Sequence, residues 1–176
     1  DIDEGMKYVF NEIYKNSDID RSGLIAKITN FNLLFRPFKE QVLNKINDTT
    51  NFYVVSRYGY CSIPITPSWK NMGDGVVDTK YTSFGATCAE FDSTLSDEYL
   101  AGKDAAMISP DKRVDASTCM FPNQTWFIRD ANHSMDVDQL IDAFFAYDGQ
   151  GTVDTVDGLQ RFMVYDKASD SYVADN

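Results

Sequence analysis

Between Gln124 and Tyr147 the hydrophobic period of the chain changes. "QTWFIRD" (124–130) holds the apolar run Trp126-Phe127-Ile128 and reads as a strand. "DVDQLIDAFFAY" (136–147) repeats Val137, Leu140, Ile141, Phe144 and Phe145 at helical spacing. Ser134 or Asp136 can cap that helix and Gly149 can end it. A strand that passes through a short loop into an amphipathic helix must lay the helix back on its own sheet to bury the apolar stripe. "NFYVVSRYGY" (51–60), rich in β-branched and aromatic residues, predicts an earlier strand, and "LQRFMVYD" (159–166) a later one. Strand, loop, strand and helix at these separations predict an α/β fold with helices on the faces of the sheet.

The remainder of the chain divides around this core. Residues 4–15 place Met6, Val9, Phe10, Ile13 and Tyr14 on one helical face. Residues 24–35 are apolar with weak helical periodicity. Pro37 can open a further helix, with Phe38, Val42, Leu43 and Ile46 on one side. Residues 1–47 therefore read as three short helices with unusually apolar faces. Residues 48–147 read as the sheet-bearing core, with a polar, loop-like insertion at 89–118 and one helical turn near 97–101. Residues 148–176 read as a turn-rich linker and the start of a further segment.

Charge narrows the range of partners. Of 176 residues, 16 are basic and 27 acidic, a formal net charge of −11. A surface that negative repels phosphate backbones, so nucleic acid is excluded as an expected partner. No apolar run approaches the roughly 20 residues that span a bilayer. The opening "DIDEGMKYVF" has neither a basic n-region nor an apolar h-region, and both ends read as cuts in a longer chain.

Cys61, Cys88 and Cys119 form no CxxC and no Cys/His cluster, which argues against structural zinc. Cys88 and Cys119 flank a polar segment. Two readings stay open: three reduced thiols, or a Cys88–Cys119 bridge. A bridge would contribute roughly 3–4 kcal/mol by restricting the unfolded chain and would imply an oxidising compartment.

The candidate chemistry lies in two loops. His133, the sole histidine, follows the 124–130 strand, and Asp74 sits in "MGDGVV" after the 51–60 strand. In open α/β sheets working groups gather beyond the carboxyl ends of strands. A carboxylate that accepts from imidazole Nδ1–H fixes the tautomer, so that Nε2 can take a proton from a nucleophile. Asp78, four residues further on, is the alternative acid.

Three segments carry a resemblance: "NDTTNFYVVSRYGY", "NMGDGVVDTKYTSFG" and "QTWFIRDANHSMDVDQL". Together, over roughly residues 35–147, they resemble the C-terminal part of secreted bacterial triacylglycerol lipases and related esterases of the α/β-hydrolase fold. The resemblance implies a mostly parallel sheet preceded by a helical lid over residues 1–47. It implies Asp74 as triad acid and His133 as triad base, and Phe31, Leu33, Leu34 and Phe35 as lid or acyl-pocket residues. It implies a lipid or small ester substrate, a secreted or cell-surface location and no organic cofactor. The family's nucleophile sits in G-x-S-x-G, and this sequence has no such motif. In family order the serine precedes the acid, so it is expected in an N-terminal remainder of the same protein.

The resemblance also allows a structural calcium, as some such lipases bind, with ligands that the sequence does not assign. "DIDRSG" (18–23) imitates an EF-hand start with Asp18, Asp20, Ser22 and Gly23, but Thr29 stands where a bidentate Glu is needed. The acidic run 147–158 has Val153 where Gly is needed. Asn47, Asn123 and Asn132 begin glycosylation-like triplets, read as chance matches. Two other functions stay in competition: a non-enzymatic acidic interaction domain, and an acyltransferase or thioesterase of the same fold.

Overall fold

A computed structural model describes residues 15, 23, 26, 38–50, 53–60, 72–141 and 160–176. The chain divides into two units, Asp1–Phe52 and Tyr53–Asn176. In the first unit residues 38–47 form helix α1. Of the stripe expected on it, Phe38, Val42 and Ile46 are solvent-exposed and Leu43 is half-buried. Of the segments 4–15 and 24–35 only Lys15 and Ala26 are described, and Phe31, Leu33, Leu34 and Phe35 lie outside the described residues. So do Asp18, Asp20, Ser22, Thr29, Cys61 and the run 147–158.

The second unit is a mixed α/β structure built on a mostly parallel four-stranded sheet. Strand β1 (Val54–Tyr58) pairs in parallel with β4 (Thr125–Arg129), which pairs in parallel with β5 (Phe162–Asp166). Strand β6 (Ser171–Ala174) returns antiparallel on β5, giving the order β1-β4-β5-β6. Its first four residues make β4 buried throughout, as a parallel strand covered on both faces requires. The two faces carry separate cores. Tyr58, Phe127 and Phe162 pack with Met72, Ala86, Val114, Ala116 and Cys119 on one side. Trp126, Ile128 and Met163 pack with Ala131, Leu140, Tyr53, Val55 and Tyr172 on the other.

The tail of the chain joins the sheet. The described part of residues 148–176, 160–176, contributes two of the four strands. Asp166 makes the hairpin turn by accepting from the Ala168 and Ser169 backbone N–H groups and the Ser169 hydroxyl. At the far end the Arg129 guanidinium grips Asp175 with two bonds, 2.9 and 2.7 Å. These partners lie far apart in sequence, and an isolated strand-like run does not reveal them.

The insertion is loop-rich, as expected, and short regular pieces flank and punctuate it. Helix α2 (Thr79–Thr82) lies against β1, and α3 (Asp97–Leu100) is the turn expected near 97–101. Strands β2 (Thr87–Cys88) and β3 (Val114–Asp115) pair antiparallel. The buried Asp115 carboxylate ties this segment together. It accepts from Tyr99 Oη (2.8 Å), the Ser117 backbone N–H (2.9 Å) and Ser117 Oγ (2.5 Å), and pairs with Lys103 Nζ at 2.9 Å. Burial would push its pKa up, but the hydrogen bonds from Ser117, Lys103 and Tyr99 outweigh burial and hold it below the usual carboxylate value.

Candidate active site

The carboxyl ends of β1 and β4 lie side by side because the two strands pair in parallel. Beyond β1, Gly59 turns with φ 78°, and Tyr60 pairs in parallel with Asp74, its N–H on the Gly73 carbonyl at 3.1 Å. Residues 73–78 then fold into a tight turn. The Asp74 N–H donates to the Val77 carbonyl at 3.2 Å, and Asp74 Oδ1 accepts from the Val76 and Val77 N–H groups at 3.0 and 2.8 Å. Both glycines of "MGDGVV" are needed for this. Gly75 has φ 92°, where side chains are disfavoured. At Gly73 a Cβ would come within 2.5 Å of the Val77 carbonyl oxygen. The result is a buried carboxylate, 3 % exposed, with one oxygen committed to backbone and the other free to aim.

Beyond β4, the Asp130 N–H continues the ladder onto the Tyr58 carbonyl at 2.9 Å, and Asp130 takes φ 62°. The buried Ala131 anchors the next step. Asn132 closes the turn: its Oδ1 accepts from the Ser134 N–H at 2.9 Å and its carbonyl from the Met135 N–H at 3.2 Å. Helix α4 begins at 138, after both expected caps, and is described as far as 141.

Asp74 holds His133 at two points. Its carbonyl accepts the His133 backbone N–H at 3.0 Å, and its Oδ2 lies 2.8 Å from His133 Nδ1. The first contact fixes the backbone and the second fixes the ring. An ionised carboxylate only accepts, so Nδ1 carries the proton and the neutral ring keeps its lone pair on Nε2. The His133 side chain is 51 % exposed while that of Asp74 is 4 % exposed. One end of the imidazole is therefore anchored in the protein and the other is accessible. The two positions are 59 residues apart in sequence, and the structure brings them together as the sequence required.

Asp78 is not brought to this pair. It precedes α2, pairs in a bridge with Gly73 and forms an ion pair with Lys80 at 3.6 Å. The Cys88–Cys119 bridge left open by the sequence is not formed, and both residues are free thiols. Each sits in or against the core on the Phe127 face, where burial pushes both thiols up to about 12. At that acidity neither is a nucleophile at neutral pH. Among the described residues no group of three or more His, Cys, Asp or Glu could hold a metal ion, and no helix is long and apolar enough to cross a membrane.

Sequence reasoning missed Arg57. Its Nη2 donates to the Met135 carbonyl at 2.6 Å, two residues beyond His133. The available signal was an arginine inside the apolar run "NFYVVSRYGY". A guanidinium is placed among apolar strand residues only where a specific acceptor meets it. Compared with known proteins, the chain matches no family model, no curated protein and no solved structure.

Proposed function

We propose that this chain supplies the acid and the base of a Ser-His-Asp hydrolase of carboxylic esters, of the lipase or esterase type on an α/β-hydrolase fold. The observation that carries this reading is the buried Asp74 carboxylate on Nδ1 of a half-exposed His133, at the carboxyl ends of adjacent parallel strands. In the proposed cycle His133 Nε2 takes the proton of a serine hydroxyl as its oxygen attacks the ester carbonyl. The imidazolium, steadied by Asp74, then returns that proton to the departing alkoxide. Water, deprotonated in turn by His133, attacks the acyl-serine and releases the acid. The serine comes from outside this sequence, which holds no G-x-S-x-G.

The same absence favours one competing reading, an acidic interaction domain with an incidental histidine. The test that separates them is hydrolysis of a p-nitrophenyl acyl ester by the protein expressed together with its upstream sequence. His133→Ala should lower kcat by about 10⁴-fold or more, and Asp74→Asn by about 10⁴-fold. Hydrolysis at the parental rate in either variant contradicts the proposal, and so does an upstream sequence without an activated serine.

A further inference from the structure

The loop that carries His133 is held on its far side by two side chains that the proposed chemistry does not use. Arg57 reaches from β1 to the Met135 carbonyl at 2.6 Å. Tyr172 reaches from β6 and donates its hydroxyl to the Asp136 carbonyl. These acceptors are the second and third carbonyls after His133, in the stretch between the histidine turn and α4. Tyr172 is fixed in turn, because its N–H donates to the Gln139 side chain at 3.2 Å and its ring packs with the Trp126–Met163 core. The two clamping groups are also close to each other. The Arg57 charge acts on the Tyr172 phenol, although burial leaves that phenol above its ordinary value.

The loop therefore has two anchors of different origin. On one side Asp74 holds the His133 N–H and ring. On the other, the first and last strands of the sheet order β1-β4-β5-β6 hold the backbone that follows. Between these anchors the Asn132 turn spans only a few residues, so displacement at Met135 and Asp136 is passed to the ring. Resting on the proposed role of the Asp74–His133 pair, we infer that Arg57 and Tyr172 are positioning residues, and that the C-terminal hairpin keeps His133 Nδ1 on the Asp74 carboxylate. Neither residue touches a reacting atom. Each acts by limiting how far the histidine loop can swing away from Asp74.

Because His133 is the only histidine, imidazole ¹⁵N–¹H spectra of the labelled chain report on this one ring. The samples are the parent, Tyr172→Phe, Arg57→Gln and Asp74→Asn. Amide spectra outside residues 131–141 establish that each variant is folded, and Arg57→Lys, which keeps the charge but loses the fork, replaces Arg57→Gln if that variant unfolds. In Tyr172→Phe and in the Arg57 variant, solvent exchange of the His133 Nδ1 proton should quicken by about fivefold to tenfold. That is what losing one hydrogen bond does to a local opening equilibrium. Parental exchange in both folded variants overturns the positioning role while leaving the Asp74–His133 reading intact. A parent spectrum that Asp74→Asn does not change overturns that reading, and the inference with it.

Discussion

At the residue scale the site depends as much on what Gly73 lacks as on what Asp74 carries. The Asp74 carboxylate is aimed because residues 73–78 fold back within hydrogen-bond reach of their own backbone, and the Val77 carbonyl occupies the space of a Gly73 side chain. Gly73→Ala must move that carbonyl, which also accepts the Asp74 N–H. It should cost about 2–3 kcal/mol in denaturant unfolding, in the range of overpacking a tight site. Gly102→Ala is the control. Gly102, unlike Gly73, has a left-handed φ, 77°, but nothing lies within 4 Å of its missing Cβ, so only the backbone strain of about 1 kcal/mol applies. Equal losses in the two variants would contradict the steric account. This glycine was legible only as a turn former, because the sequence does not show which backbone atom approaches it.

At the scale of elements, the insertion between α2 and β4 owes its order to one buried acid. Asp115 gathers Tyr99, Lys103 and Ser117 from three short pieces that have little helical or strand length of their own. Its folded pKa lies below the unfolded one. Its stabilisation is therefore complete above the unfolded value near pH 4 and is lost as pH falls through the lower folded value. Asp115→Asn should reduce stability at pH 7 by about 2 kcal/mol, since a buried amide NH2 then meets donors where a carboxylate accepted from them. It should also flatten the fall in stability below pH 4. A variant as stable as the parent at pH 7, with an unchanged acid limb in urea titrations, would refute this. The loop-like character of 89–118 was legible from its polar composition, but the role of Asp115 was not, because a satisfied buried carboxylate cannot be told from a solvated one in sequence. The strands were easier to read. β1 and β4 are rich in β-branched and aromatic residues, with β1 buried on one face and β4 on both, and that composition needs no knowledge of partners.

At the scale of the whole molecule, the tail changes the account most. Read alone, residues 148–176 offered a strand-like run without a neighbour. In the sheet, β5 and β6 complete the core beside β4, lock Arg129 through Asp175 and place Tyr172 behind the histidine loop. Such long-range pairings are set by three-dimensional closure, which no local pattern encodes. The Asp74–His133 pair was legible for the opposite reason. Each lies in a loop that follows a recognisable strand, and parallel neighbouring strands bring such loops to one edge. The central claim is that Asp74 fixes this imidazole for proton transfer through Nε2. The most direct measurement is the neutral-ring tautomer of the sole histidine, read from its two ¹⁵N shifts in the parent chain. The account predicts the Nδ1–H form, giving way to a mixture with Nε2–H in Asp74→Asn. A parent ring protonated mainly on Nε2 would contradict it.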